Sequence, residues 1–249
     1  MRYFIELSYN GTNYHGWQNQ PNAISVQEVL EKALSTILGE TITVMGAGRT
    51  DAGVHAKQLF AHMDTDVAFN IDTLQYKLNS FLPKDVAIQS IFKVIPDAHA
   101  RFHAISRAYV YRIALRKSPF NFDQTYFLKQ SLDIDKLNQA TKILFDYTDF
   151  QCFSKSNTDV HTYNCDIMEA KWEVVEDEIH FTIKADRFLR NMVRAIVGTL
   201  INIGIGKLEV NDMHTIIQSK NRSEAGYSVP AKGLYLIKVE YPDTIKLND

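Results

Sequence analysis

Several things are scarce in this chain of 249 residues, and each scarcity removes a class of protein. Cysteine occurs twice, at Cys152 and Cys165, with no Cys-x-x-Cys pair. That argues against a zinc knuckle or a disulfide framework and suits a reducing cytoplasm. No apolar run reaches the roughly 18 residues that a membrane-spanning helix needs. The start, Met1-Arg2-Tyr3-Phe4-Ile5-Glu6, lacks the build of a signal peptide, because an acid interrupts the apolar stretch at once. Basic excess is missing too. The net charge is −2, awkward for a nucleic-acid binder. No Gly-Lys-Ser/Thr phosphate loop is present, and the one glycine-rich stretch lacks the spacing of a dinucleotide fingerprint.

What is present is a globular composition, 45% hydrophobic and 22% charged, long enough for one large domain or two ordinary ones. The charge is unevenly placed. Arg101, Arg107, Arg112, Arg116 and Lys117 follow one another with no acid between, and Arg187, Arg190 and Arg194 form a second group. Residues 133–149 and 169–178 are acid-rich. Such asymmetry gives either one basic face for phosphate or ordinary solvated charge.

The stretch that organises the rest is Gly46-Ala47-Gly48-Arg49-Thr50-Asp51-Ala52-Gly53-Val54-His55-Ala56. Three glycines within eight residues mark a backbone that turns sharply or admits a ligand closely. Arg49, Asp51 and His55 sit among small neighbours, which leaves room for a planar ligand. Two other readings compete: a structural turn with Arg49 and Asp51 paired locally, and a metal site of Asp51, His55, His62 and Asp64, whose spacings fit no standard ligand set.

Periodicity organises the remainder. Residues 2–9 read as a strand, Asn10-Gly11 as a turn, and 12–23 as a polar loop. Tyr14, His15 and Trp17 in that loop either stack on bases or pack on the core. Ser25 and Glu28 form a capping box for a helix ending at Gly39. Strands at 41–46 and 57–64, a helix at 71–82 stopped by Pro83, and a strand at 86–95 complete a strand–helix–strand–strand–helix–strand order. The second half repeats it: a strand at 107–115, a helix capped by Asp133, and a hairpin of 163–175 and 179–185. A long helix at 188–203, a weaker one at 212–219 and a strand at 233–241 follow. The expected fold class is α+β. Two ferredoxin-like, RRM-like half-domains, 1–100 and 101–249, join into one long, mainly antiparallel sheet, with helices on one side and an RNA cleft on the other.

Two further segments carry chemistry. A period of two places Arg107, Tyr109 and Tyr111 on one face of a strand, suited either to a base and its phosphate or to an aromatic ladder. On the long helix Arg187, Arg190 and Arg194 fall at spacings that share a face, with Arg194 bordering the apolar stripe.

Gly48-Arg49-Thr50-Asp51-Ala52-Gly53-Val54-His55-Ala56 resembles, without a break, the signature of the TruA family of tRNA pseudouridine synthases. Arg107–Arg112, Phe188–Gly198 and Val229–Leu236 resemble further family segments. In the last, Val229 stands where alanine is common. Asp149-Phe150-Gln151-Cys152-Phe153 resembles another, with Asp146 and Thr148 replacing its glycine and histidine. The resemblance covers the chain to about residue 240. It implies an isomerase that converts uridine to pseudouridine in the anticodon arm of tRNA, without cofactor or metal. It implies Asp51 as catalytic nucleophile, Tyr109 against the flipped base, and Arg194 paired to Asp51. Arg49, Tyr111, Arg107 and Arg190 are the expected substrate contacts, and a cytoplasmic homodimer holding one RNA across both subunits is the expected assembly. The alternatives are a non-catalytic RNA-binding protein of paired RRM-like modules and a metal-dependent hydrolase.

Overall fold

Alternating apolar side chains make Arg2–Tyr9 a strand, β1, whose Phe4, Ile5 and Leu7 have no accessible surface. The computed structural model describes residues 1–155 and 160–247, which cluster into two units. The first unit is Met1–Ile105 with Tyr235–Asp249, the second Ser106–Leu234.

In the first unit, Ser25 caps helix α1 (Val26–Leu38) by accepting the Glu28 N–H at 3.1 Å, and Gly39 ends it at φ 77°. Val26, Leu30, Ala33 and Leu34 form its buried stripe. Strand β2 (Val44–Gly46) is shorter than the run expected at 41–46. The Ile42 and Val44 N–H groups go instead to Ser35 Oγ and Glu31 Oε1 of α1, both at 2.9 Å. Side chains of the helix thus satisfy backbone that a ladder would otherwise use. Strand β3 (His55–Asp64), helix α2 (Ile71–Phe81, capped by Asn70) and β4 (Val86–Lys93) follow. β1 lies between β4 and β3, antiparallel to both.

The other edge of β3 is shared. Val44–Gly46 of β2 pair with Ala61–Met63, while Tyr235 and Leu236 of β9 (Leu234–Glu240) run parallel to His55 and Ala56. Two contacts hold β9 there: the Val239 N–H donates to Gln58 Oε1 at 3.0 Å, and the ring of Tyr241 meets Phe4 and Phe60, each at 5.2 Å. Within the first unit the C-terminal strand is thus paired to β3.

In the second unit, β5 (Ser106–Ala114), β8 (Glu178–Ala185) and β7 (Ile167–Val175) form an antiparallel sheet in that order, and β6 (Tyr126–Phe127) runs parallel to the end of β5. Glu176 turns the β7–β8 hairpin at φ 54°. Helix α3 (Ile134–Lys142), capped by Asp133, is tied to β7 through Asn138, which exchanges two hydrogen bonds with the Trp172 backbone. Helix α4 (Met192–Gly204) is buried along almost its whole length, and α5 (Asp212–Ser219) follows. Cys152 and Cys165 are buried thiols, each pushed up to about 12 by burial, and so are inert packing groups. The architecture is thus mixed α and β, mostly antiparallel, with five α-helices among the described residues. None of these helices is long and apolar enough to cross a membrane.

Candidate functional site

The glycine loop joins β2 to β3, and its surroundings explain its composition. A Cβ on Gly46 would lie 2.4 Å from the indole nitrogen of Trp17, so the buried Trp17 ring rests directly on that glycine. Gly16, at φ 89°, brings its backbone so close that a Cβ would stand 2.2 Å from the Thr50 carbonyl. Gly11 approaches the Val54 carbonyl as closely, at 2.0 Å by the same measure. Residues 11–17 are therefore a cradle beneath the loop. The Gly53 N–H donates to the Tyr14 carbonyl at 3.2 Å, and the Tyr9 and Thr50 hydroxyls pair at 2.9 Å.

Asp51 sits half-buried at the head of a tight turn, its carbonyl accepting the Val54 N–H at 3.1 Å, and Gly53 supplies φ 77°. Arg49 is exposed. His55 is buried, its Nδ1 accepting the Gly11 N–H at 3.1 Å and its ring stacked on Tyr235 at 4.5 Å. Tyr14 and Trp17, read from sequence as possible base stackers, are buried supports, and His15 is exposed. The Tyr14 hydroxyl donates to Asp85 at 2.6 Å; burial first, then that carboxylate, push its phenol far above its ordinary range.

In the second unit the two tyrosines of β5 differ in exposure. Tyr109 is half-buried and meets Phe188 edge-on at 5.2 Å. Tyr111 has no accessible surface. Its hydroxyl donates to the Pro230 carbonyl at 2.9 Å, and its ring fills the space where Gly233 lacks a Cβ. Tyr111 is therefore packed against the 230–233 segment. Arg107 is half-buried and donates to the Asp186 carbonyl at 2.9 Å.

The expected helix from 188 begins only at Met192, because Asn191 takes the left-handed conformation at φ 67°. Arg187 and Arg190 therefore precede α4 and do not share a helical face with Arg194. Arg190 is exposed, and its carbonyl accepts the Lys155 N–H at 3.0 Å. Arg194, half-buried, donates from Nε to the Val229 carbonyl at 2.7 Å, and its backbone carbonyl accepts the Val229 N–H at 3.2 Å.

The contacts that steady the segment holding Arg194 were not visible in the residue pattern, although Val229–Leu236 itself was singled out there. Arg222 donates to the Gly226 carbonyl at 3.0 Å and to Ser228 Oγ at 2.9 Å, and Asn191 Nδ2 donates to the same Oγ at 2.7 Å. A Cβ on Gly198 would stand 1.8 Å from the Tyr227 carbonyl, so the segment lies directly on α4. The pair of glycines, Gly198 and Gly226, was the one trace of this approach in the sequence.

The basic run is less basic than it reads. Arg112 makes a two-pronged pair with Glu178 at 2.7 and 2.9 Å, and Arg116 pairs with Asp177. Burial raises the Glu178 pKa, but Arg112 and His180 outweigh it and hold the carboxyl below its usual range. Among the described residues no group of three or more His, Cys, Asp and Glu is placed to hold a metal ion. His62 Nδ1, like that of His55, accepts a backbone N–H, here from Ala100 at 3.1 Å.

Comparison with known proteins bears on these segments together. The model of the family described as tRNA pseudouridine synthase matches residues 7–103 and 144–242. A Bacteroides fragilis protein named tRNA pseudouridine synthase A is 53% identical over 247 residues, covering 98% of either chain. A Bacteroides thetaiotaomicron protein of the same name is 51% identical over 98% of this chain and 92% of its own. One from Thermoanaerobacter sp. is 39% identical over 95% of this chain and 98% of its own. The match takes in the Asp51 loop, its cradle and the Arg194 segment, and the chain belongs to the tRNA pseudouridine synthase family.

Proposed function

We propose that this chain isomerises uridine to pseudouridine in the anticodon arm of tRNA, with Asp51 as nucleophile. The observation that carries the reading is the unbroken Gly48–Ala56 signature, set in a loop that Gly11 and Gly16 of the cradle approach with bare backbone and on whose Gly46 the Trp17 ring rests. In the reaction the N-glycosidic bond breaks and the base rejoins the ribose through carbon. That carbon loses a proton and the freed ring nitrogen gains one, so the composition is unchanged. Extruding the base from a stem costs a few kcal/mol. Tyr109, half-exposed beside Phe188, is suited to receive the flipped base. Arg49 is exposed, as a residue that wedges or holds RNA must be, and Arg107 and Arg190 are assigned to the phosphate backbone.

Arg194 is assigned as the cation that pairs with Asp51; a cation in that role favours the ionised carboxylate. Its fixed Nε–Val229 bond supports the assignment, because a guanidinium held at one nitrogen has its remaining donors aimed. Each half is read as ferredoxin-like. The order β1-α1-β2-β3-α2-β4 with spatial order β4-β1-β3-β2 supports this for the first, and the order β5-β8-β7 for the second. A cytoplasmic homodimer holding one RNA across two subunits completes the proposal.

The test is chemical mapping of pseudouridine in tRNA incubated with the parent protein and with Asp51→Asn. Conversion by the parent and none by the variant supports the assignment. Normal turnover by Asp51→Asn would overturn it, and tRNA bound but left unmodified by the parent would favour the non-catalytic RNA-binding reading.

A further inference from the structure

Between β4 and Ile105 the first unit carries a turn, residues 98–103, whose backbone is clamped from several sides. The Ala98 carbonyl accepts Arg2 Nη1 at 2.9 Å, and the Ala100 carbonyl accepts the Tyr241 hydroxyl at 2.5 Å. The Ala100 N–H donates to His62 Nδ1 at 3.1 Å. The His99 N–H donates to His103 Nδ1 at 2.8 Å, and the His103 N–H returns to the His99 carbonyl at 3.0 Å. His99 Nδ1 itself accepts the N–H groups of Arg101 and Phe102, at 3.1 and 3.4 Å.

On this rigid turn Phe102 is 72% exposed. Burying such a ring is what folding normally favours, and its fold role is small because the turn is fixed by other groups. The ring ends a column. His62 meets His99 at 4.7 Å, His99 meets Phe102 at 4.3 Å, and the Arg101 guanidinium stands 5.4 Å from the Phe102 centroid. The His99 imidazole is neutral, since its Nδ1 lone pair accepts two N–H groups; burial, then Arg2, hold its pKa down. Arg2 is engaged by Asp64, and Arg101 is exposed on the turn.

A preorganised ring with a guanidinium beside it has the chemistry of a stacking site for a base with its phosphate. Phe102 is set among imidazoles and a guanidinium, with the exposed Ile105 just past the turn, rather than in the broad apolar surround of a protein hot spot. We propose that Phe102 and Arg101 form a second RNA contact, Phe102 stacking on an unpaired base of the substrate and Arg101 taking the adjoining phosphate. The proposal rests on the RNA substrate of the function given above, and adds a surface outside the Asp51 loop and the Arg194 segment. The clamped turn means little ordering is left to be lost on binding.

The experiment measures binding of unmodified tRNA at two salt concentrations, with steady-state turnover and thermal unfolding, for the parent, Phe102→Leu, Phe102→Tyr and Arg101→Gln. Phe102→Leu keeps apolar bulk but loses the π face. It should weaken binding about 5- to 100-fold, with the loss in Kd and KM rather than kcat. Phe102→Tyr should stay within about twofold, since stacking tolerates any aromatic ring. Arg101→Gln should weaken binding less and reduce the salt slope by about one. Parent-like binding by Phe102→Leu overturns the proposal. So does equal loss in Leu and Tyr variants with a lowered melting temperature, which makes the ring structural. A changed sedimentation coefficient with unchanged tRNA affinity also overturns it, and assigns the ring to a second copy of the chain. Turnover by the parent is scored separately, so its absence would sink the enzymatic reading and not this one.

Discussion

The hydroxyl of Tyr111 and the guanidinium of Arg194 are held by adjacent carbonyls of one segment, Pro230 at 2.9 Å and Val229 at 2.7 Å. A strand and a helix are thereby fixed to the same two peptide groups. Arg194 is near enough to lower the Tyr111 phenol pKa, although burial, the larger effect, carries it well above its ordinary range. Gly233 completes the arrangement, since a Cβ there would stand 2.7 Å from the Tyr111 ring. A change at either side chain is therefore felt at the other through the 229–230 peptide.

Arg222 fixes that segment from its far side, through the Gly226 carbonyl and Ser228 Oγ. Arg222→Ala should let the Val229 carbonyl shift and leave Arg194 Nε misaimed. A misplacement of about 1 Å at a reacting group costs on the order of 100-fold. The expected outcome is a 10- to 100-fold loss of kcat/KM, with tRNA affinity retained. Steady-state kinetics beside a direct binding isotherm distinguish this from loss of the substrate surface.

Asp51→Asn keeps the side-chain shape and the backbone turn that its carbonyl makes with Val54. The variant should fold with a parent-like melting temperature and bind tRNA. Its turnover should fall by at least about 1,000-fold, as for removal of a covalent nucleophile. Single-turnover pseudouridine formation over hours is the measurement, and a drop of less than tenfold would move the nucleophile elsewhere.

Tyr109 meets Phe188 through its ring, a contact that Tyr109→Phe preserves and Tyr109→Ala removes. If stacking dominates, the Phe variant should retain more activity than the Ala variant. The difference should be roughly 5- to 100-fold in kcat/KM, the value of one base–aromatic stack. Equal losses would transfer the role to the hydroxyl.

His62 gives the stability of the first unit a defined pH dependence. Burial first, then the charge of Arg2, bring its pKa from 6.5 down to about 4. The neutral ring is the form that accepts the Ala100 N–H. Between those values the unfolded chain binds the proton and the folded chain does not, so stability falls as pH falls. The contribution is whole above about pH 6.5, declines toward pH 4 and is spent below it, a total of up to about 3 kcal/mol. Urea unfolding from pH 7 to pH 4 should show this decline. His62→Asn, which retains an acceptor but does not titrate, should show a shallower one.

Much of the fold was legible because local rules and tertiary packing agree. Ser25 and Asp133 each cap a helix by the bond their side chains favour, and Gly39 and Glu176 sit where the chain turns left-handed. The Asp51 loop was legible for a similar reason: Gly46 leaves room for the Trp17 ring, and Gly53 takes the left-handed φ of 77° at the turn. Where periodicity misled, a single backbone residue was responsible. The Arg187, Arg190 and Arg194 spacing assumed a continuous helix, and Asn191 at φ 67° interrupts it. Periodicity did not misplace Tyr109 and Tyr111, two apart in an unbroken register of β5; what it could not give is their depth, one half-exposed and the other sealed under Pro230 and Gly233.

The chain's own order of residues determined which segments are strands, which are helices, where most of them stop, and that Asp51 stands in a loop stripped of bulk. Those features depend on neighbours a few positions away, whose steric and hydrogen-bonding preferences act before the chain is folded. Tertiary structure alone decided that β9 completes the edge of β3, that Trp17 lies beneath Gly46, and that Arg222 and Ser228 steady the peptide to which Arg194 is bound. The joins of β9 to β3, of Trp17 to Gly46 and of Val229 to Arg194 link residues far apart in the chain, and such contacts leave no period in the sequence because nothing local repays them until the core has closed.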